Sequence, residues 1–222
     1  MRQISILLSI ILALIGLSAC TTQAVIGSGE IVTETRDVSA FTGVRLADTG
    51  EVTITVGEPQ AITVTAYENL LPLLKTTVED NVLVIELAAS DSSYITDTQI
   101  EYTISVPSLD YINLGGTGNI TIHNLDTENF VADIPGPGNL TADGTVTEQT
   151  IDINGLGSYY GFDVISETTT IMLGGPGIAE VYATSTLNAT IIGKEDIVYK
   201  GDPVVHEHIE GIGEVVPYTE DE

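Results

Sequence analysis

The chain has 222 residues, with 32 acidic side chains against 6 basic ones and a formal net charge of −26. This charge excludes the basic surface that nucleic acid binding requires, and it opposes binding to anionic lipid headgroups or polyanionic sugars unless cations intervene. A chain of this length with 43% hydrophobic residues can bury one substantial core, so we expect a single domain.

The N-terminus has the pattern of an export signal. The first three residues supply one positive charge, residues 4–17 are almost wholly apolar, and small residues precede Cys20. Cys20 is the only cysteine, so it has no disulfide partner within the chain. The pattern resembles the bacterial lipoprotein signal, in which this cysteine is acylated and becomes the new N-terminus; an ordinary signal peptide with an incidental cysteine is the alternative. The sequence therefore predicts a signal peptide over 1–19, lipid on Cys20 and a spacer over 20–29.

Beyond the spacer, the chain is predicted to be almost wholly β and to form one domain over residues 30–222. Valine, isoleucine and threonine alternate in three clear segments, residues 52–56, 62–65 and 102–106. This period of two is typical of strands with one buried face. Residues 78–84 predict two strands about an Asp80-Asn81 turn.

A Gly-x-Gly motif recurs along the second half of the chain. Its first positions step by 20, 19, 20, 18 and 18 residues, and Gly193 holds a degenerate copy. A large aliphatic residue stands two positions before each first glycine, and in most copies another apolar residue stands four positions after it. The repeat glycines, with an upstream copy at residue 50, are Gly50, Gly116, Gly118, Gly136, Gly138, Gly155, Gly157, Gly175, Gly177, Gly193, Gly211 and Gly213.

This repeat predicts an all-β right-handed parallel β-helix (a solenoid) with one rung of about 18–20 residues per repeat. Such a short unit cannot bury its own apolar face, but stacked units lay equivalent residues over one another about 4.8 Å apart. A β-propeller needs blades of about 40 residues, and a β-sandwich would not keep a glycine doublet in register with an aliphatic column. The glycines are expected at corners, where φ is positive or a neighbouring backbone excludes a Cβ.

Several stretches together resemble one bacterial family. They are residues 27–29, 36–44 and 106–109, and the closing segment 199–203 followed by 211–213. The combination is similar to the putative auto-transporter adhesin family with the head GIN domain, over about residues 27–217. The resemblance implies an exported protein, often a lipoprotein, with a β-helical fold and no catalytic residue to carry over.

Two short motifs suggest chemistry. The triplet Asp48-Thr49-Gly50 matches the catalytic triplet of aspartic proteases, but it also occupies the repeat frame, which explains it without catalysis. His206 and His208 lie two residues apart, hence on one face of a strand, and such a pair can begin a metal site; a polar solvent-facing strand is the alternative. Calcium between stacked carboxylates has no identifiable ligand set, so no cofactor is predicted.

Tyrosines on successive later repeats would favour sugar binding if they formed an exposed ladder, and filling the core is their alternative role. They are Tyr159, Tyr160, Tyr182 and Tyr199. We predict a non-catalytic envelope protein, lipid-anchored at the outer membrane or cell surface, whose β-helical rod presents a binding or adhesion surface. Its expected partners are the membrane, through the anchor, and polysaccharide or another envelope protein. A polysaccharide hydrolase or lyase, and a scaffold or sensor in an envelope complex, are the alternatives.

Overall fold

The computed structural model describes residues 24–88 and 93–219, most of which lie in strands. The strands of the N-terminal half are β1 (Val25–Ile26), β2 (Ile31–Thr35), β3 (Gly43–Leu46), β4 (Glu51–Val56), β5 (Ala61–Tyr67), β6 (Leu74–Glu79), β7 (Val82–Leu87), β8 (Tyr94–Ile95) and β9 (Glu101–Val106). The later strands are β10 (Tyr111–Leu114), β11 (Asn119–Asp133), β12 (Leu140–Ile153), β13 (Tyr159–Leu173), β14 (Ala179–Ile191), β15 (Ile197–Lys200), β16 (Val204–Ile209) and β17 (Val215–Pro217). A short 3-10 helix spans Leu71–Leu73.

Successive repeats pair in parallel, so each coil of the chain lies directly on the one before it. The long strands β11 to β14 pair with one another along most of their length, with register shifts where the strands bend. The result is the all-β solenoid that the glycine repeat predicts, with about 5 turns.

The coils build two sheets that enclose the core. Sheet A has the strand order β2-β5-β9-β4-β11-β12-β13-β14-β15-β17 and uses the first part of each long strand. Sheet B has the order β6-β7-β3-β10-β11-β12-β13-β14-β16 and uses the last part.

Columns of apolar side chains run along the inside of the solenoid. One column lines the inner face of sheet B: Leu46, Leu114, Ile134, Ile153, Leu173 and Ile191, all fully buried. A second lines sheet A: Val52, Ile120, Leu140, Tyr159, Ala179 and Ile197, also buried. The columns predicted from the repeat are confirmed except in the last coil, where Ile209 is 39% exposed and Val215 is only partly buried.

The repeat glycines are required by close stacking of backbone on backbone. A Cβ on Gly116 would overlap the carbonyl oxygen of Asp48, and a Cβ on Gly175 would overlap that of Gly155. The same overlap with the preceding coil recurs at Gly118, Gly138, Gly157, Gly177, Gly211 and Gly213. Of the two reasons considered for the glycines, lack of room for a Cβ is the one that applies at these corners.

The N-terminal end departs from parallel pairing. In sheet A, β5 pairs antiparallel with both β9 and β2. In sheet B, β6 pairs antiparallel with β7 through the predicted turn at Asp80 and Asn81, whose φ angles are 49° and 65°. Because these antiparallel strands cover the first parallel strand of each sheet, they cap the core at this end.

The folded domain begins within the segment expected to be a spacer. β1 pairs in parallel with β8, and Asn69 accepts a hydrogen bond from the Ser28 amide and donates one to the Ile26 carbonyl, both at 2.8 Å. Residues 25–29 therefore belong to the fold. The predicted signal peptide and Cys20 lie outside the described residues.

Candidate functional site

The outward face of sheet A carries an ordered column of threonines. Because every second residue of a strand points outward, in-register pairing brings one threonine from each of six adjacent strands into line. In spatial order these are Thr35, Thr63, Thr103, Thr53, Thr121 and Thr141. All are exposed or half-buried, and with strands about 4.8 Å apart the column spans roughly 24 Å. We call this set the threonine column.

The same face changes chemistry in the C-terminal coils. The column continues from Thr141 through Tyr160, Glu180, Val198 and Val216. Two residues further along the chain, the next outward positions hold Phe162, Tyr182 and Lys200, and Tyr218 directly follows β17. We call Tyr160, Phe162, Tyr182, Lys200 and Tyr218 the aromatic patch.

Lys200 holds two rings of the aromatic patch together. Its Nζ lies 4.5 Å from the centroid of the Phe162 ring and 5.0 Å from that of Tyr218, both within cation–π range. The two rings meet edge to face, with centroids 4.9 Å apart and an interplanar angle of 61°. Since Phe162 lies on β13 and Lys200 on β15, the cluster joins coils that are not adjacent, which fixes the rings in place.

A carboxyl group lies beside the rings. Burial raises the pKa of Glu180, and the positive charge of Lys200 lowers it in part. The aromatic patch and Glu180 therefore combine apolar ring surface with one donor-rich cation and one hydrogen-bond acceptor. Such a combination of rings with a few fixed polar groups is typical of ligand-binding surfaces.

The four tyrosines singled out from the sequence divide by their position along each strand. Tyr160 and Tyr182 are half-buried on the outward face and belong to the aromatic patch. Tyr159 is fully buried, and Tyr199 packs partly buried against the core. Of the two roles open to these tyrosines, the outward surface applies to Tyr160 and Tyr182 and core filling to Tyr159 and Tyr199, because neighbouring residues of a strand point to opposite faces.

Three residues of the aromatic patch were missed by the sequence analysis. Phe162, Lys200 and Tyr218 each stand two residues after an outward position of the repeat. Strict alternation counted from each glycine motif would have placed them on the outward face.

Tyr159 belongs to a buried polar network instead of a surface. Its hydroxyl donates to Gln149 Oε1 at 2.9 Å, and Gln149 Nε2 donates to Thr169 Oγ1 at 2.9 Å. The Ser166 hydroxyl lies 2.6 Å from that of Thr169 and donates to the Tyr182 carbonyl at 2.8 Å. Burial raises the pKa of Tyr159, so its hydroxyl stays protonated and acts as a donor. The network links three coils within the core.

His206 and His208 lie on β16, at the C-terminal end of sheet B. Both are exposed, and His208 Nε2 lies 3.0 Å from Glu210 Oε1. Within residues 24–88 and 93–219, no group of three or more His, Cys, Asp or Glu side chains is placed to hold a metal ion. In that part of the chain the two histidines lack a third ligand, and their position fits the polar solvent-facing alternative.

The Asp-Thr-Gly triplet is part of the corner stack, as the repeat frame predicts. Gly116 of the next coil packs against the backbone of Asp48, and the hydroxyl of Thr49 is hydrogen bonded to that of Thr117. Burial raises the pKa of Asp48, and the Tyr94 hydroxyl donates to it at 3.3 Å. Stacking between coils thus accounts for the triplet without catalysis.

Sheet B carries a pair of neighbouring carboxyl groups, the kind of pair that the alternative function as a polysaccharide hydrolase would require. Asp133 and Asp152 are in-register neighbours on β11 and β12, beside a notch of about 230 Å³. Burial raises the pKa of Asp152, and the charge of Asp133 adds to the rise. Tyr111 donates to Asp133 at 2.9 Å, and Asn154 donates to Asp152 at 2.6 Å. The pair lies on a different sheet from the aromatic patch.

A family model supplies the identification. The model described as putative auto-transporter adhesin, head GIN domain, matches residues 40–203. The chain belongs to this family. Comparison with curated proteins gives no match. In the head GIN chain, no helix among the described residues is long and apolar enough to cross a membrane.

Solved structures share the fold of this head GIN chain. A putative adhesin from Bacteroides fragilis has a TM-score of 0.69 at 20% identity, over 88% of this chain and 100% of that one. A putative lipid binding protein from Parabacteroides distasonis has a TM-score of 0.59 at 22% identity, over 89% of this chain and 100% of that one. A putative adhesin from the same organism has a TM-score of 0.55 at 21% identity, over 88% and 100%.

Proposed function

We propose that the chain is a non-catalytic, lipid-anchored protein of the cell envelope whose solenoid presents the outward face of sheet A as a binding or adhesion surface. The observation that carries this proposal is the aromatic patch, in which Lys200 holds the rings of Phe162 and Tyr218 on the outside of the domain. Membership of an adhesin-like family agrees with a role at the surface or in the envelope.

The anchor is proposed from the N-terminal sequence. Cys20 follows an apolar segment ended by small residues, and it is the only thiol in the chain. Two or more acyl chains on one cysteine would hold the protein stably, whereas a single chain binds membranes only marginally. Replacing Cys20→Ser and fractionating cells tests the tether: we expect the variant in the soluble fraction, and its retention in membranes would contradict the proposal.

The binding role is proposed from the exposure of the rings. Tyr218 is 44% exposed, although aromatic side chains usually bury most of their area. Exposed aromatic residues that are already held rigid lose little conformational freedom on binding, so they suit a recognition surface. Beads that carry the full chain should adhere to envelope or matrix material, and Tyr218→Ala should reduce this adhesion. Equal adhesion of the two kinds of beads would contradict a role for this face.

A polysaccharide hydrolase is the second candidate because Asp133 and Asp152 stand side by side with a raised pKa at Asp152. Glycosidases need two carboxyl groups at a set separation, one of them held protonated. The test is release of reducing ends from polysaccharide by the full chain, with Asp152→Asn as the control. Under the proposed function we expect no release, whereas release that disappears in Asp152→Asn would establish the enzyme.

A further inference from the structure

The structure assigns a ligand class to the outward face of sheet A: a neutral polysaccharide. The polysaccharide would lie along the solenoid axis, across the aromatic patch and the end of the threonine column. This inference rests on the proposed function and specifies the ligand of the same surface. Thr121, Thr141 and Tyr160 form one continuous column, because they are in-register neighbours on successive strands. Phe162, Lys200 and Tyr218 lie beside this column, two residues further along the chain from its later members.

The rings favour sugar over a more polar ligand. The faces of aromatic rings carry negative charge density, which attracts the weakly positive C–H bonds on the apolar side of a pyranose. Phe162 and Tyr218 are fixed by Lys200 at 4.5 Å and 5.0 Å, so they need little ordering when a ligand stacks on them. The three donors of the Lys200 ammonium and the carboxyl oxygens of Glu180 supply hydrogen-bonding partners for ring hydroxyls.

The threonine column favours a polysaccharide over a single sugar as the ligand. Thr121 and Thr141 stand on the two coils that precede Tyr160, with strands about 4.8 Å apart, so hydroxyl groups continue in line with the Tyr160 ring. An open sheet face with repeated, equally spaced groups suits an extended ligand, whereas single small molecules are usually held in concave pockets.

The electrostatics favour a neutral ligand. The chain carries a formal net charge of −26, so a polyanionic sugar would be repelled as it approached. The cation nearest the rings, Lys200, already faces two rings and lies near Glu180, which lowers its value as an anion receptor. Threonine hydroxyls and aromatic rings carry no formal charge and offer nothing that requires an acidic sugar.

Affinity electrophoresis of the full chain in mild detergent tests the inference. The gels contain a neutral polymer (hydroxyethylcellulose, xyloglucan or dextran) or the anionic comparator polygalacturonate. We expect at least one neutral polymer to retard the chain and polygalacturonate to leave its mobility unchanged. Retardation by no neutral polymer, or by polygalacturonate alone, would overturn the inference.

Two matched pairs of variants locate the binding. Tyr218→Ala should weaken binding of the retarding polymer about tenfold, whereas Ile212→Ala, which removes an apolar side chain that is 77% exposed elsewhere, should not change it. Thr121→Val with Thr141→Val removes two hydroxyls from the proposed track and should also weaken binding. Thr150→Val with Thr170→Val makes the same change on exposed, in-register threonines of sheet B and should have no effect.

The outcomes separate this inference from the proposed function. Binding that is unchanged in both Tyr218→Ala and the Thr121/Thr141 variant places the polymer elsewhere and overturns the inference. If Tyr218→Ala abolishes bead adhesion while no neutral polymer retards the chain, the surface function stands and the ligand class is wrong. If Tyr218→Ala leaves adhesion unchanged, and neither it nor the Thr121/Thr141 variant alters retardation, both fail.

Discussion

The carbonyl oxygen of Asp48 lies where a side chain on Gly116 would have to be placed. The glycine one position earlier, Gly115, has ordinary space around it, since the nearest atom to a Cβ there would be Asn113 Oδ1 at 3.7 Å. Two adjacent glycines in the same corner therefore differ in what they tolerate. The packing of one coil on the next excludes a side chain at Gly116 but leaves room for one at Gly115.

Gly116→Ala should therefore destabilise the domain, while Gly115→Ala should not. We expect the first substitution to lower the free energy of unfolding by about 2–3 kcal/mol, because backbone on both sides must move to admit the methyl group. The second should change it by less than about 1 kcal/mol and in either direction. Thermal unfolding followed by circular dichroism measures both. Similar losses in the two variants would contradict the stacking argument.

Tyr159→Phe should be costly although it removes a single oxygen atom. The substitution leaves Gln149 Oε1 buried without its donor, which costs about 1–3 kcal/mol. Tyr160→Phe is the control, because Tyr160 is on the outward face and only half-buried. Urea unfolding of the two variants gives the comparison, and an unchanged midpoint for Tyr159→Phe would mean that the network contributes nothing.

Asn124 should tolerate glycine but not valine. Its φ is +59°, in the left-handed region that a β-branched residue avoids. We expect Asn124→Gly to be nearly neutral and Asn124→Val to cost about 1–2 kcal/mol. Unfolding midpoints of the two variants decide the matter. A valine variant as stable as the glycine variant would show that the bend relaxes freely.

Asp143 should make the domain more sensitive to acid. Burial acts to raise its pKa, but the hydrogen bonds from the Asn124 amide and from His123, each at 2.7 Å, outweigh it and lower the pKa below the ordinary 3.8. A lowered native pKa contributes stability above the unfolded value, and this stability is lost as pH falls through the native value.

The test of this pH dependence is a comparison with Asp143→Asn. The stability difference between the parent chain and the variant should be largest above pH 3.8 and should shrink as the pH falls below it. Unfolding midpoints measured from about pH 6 down to about pH 2.5 give this difference. A stability difference that stays constant over this pH range would show that ionisation of Asp143 does not contribute to stability.

Glu207 should keep the open end of the solenoid from joining another copy. It continues the inward column of Ala189 on β16, a strand that pairs only with β14 within the described part of the chain. An inward charge on an edge strand opposes edge-to-edge association. Glu207→Val should produce concentration-dependent oligomers in sedimentation velocity. His206→Val adds the same side chain on the outward side of the strand and should remain like the parent; association of both variants, or of neither, would contradict this role.

The repeat made the parallel coils predictable. The glycine spacing and the aliphatic positions around it depend on stacking between equivalent residues, and Leu114, Ile134 and Ile153 lie buried in line as expected. The antiparallel cap at the N-terminal end was not predictable in the same way. The alternating segments at 52–56, 62–65 and 102–106 fix which side chains face inward, but alternation is the same for parallel and antiparallel partners.

Only part of the candidate site could be predicted from the sequence. Tyrosines on successive repeats indicated an aromatic surface, yet Tyr159 and Tyr160 are neighbours in the chain and only one of them can point outward. Lys200 carries no such signal in the sequence, because its contact with Phe162 joins strands two coils apart. Contacts of this kind follow from the register between strands, which no short motif records.

Because the coils are equivalent, the length of the outward face can change only by whole rungs. Duplicating one repeat, such as residues 138–156, would insert one more rung between its neighbours, with the same corner and the same inward aliphatics. Each insertion would lengthen the face by about 4.8 Å, while the antiparallel cap at the N-terminal end and the last coil at the C-terminal end kept their own sequences. Relatives of different length can thus share one folding scheme and differ in how far their surface extends.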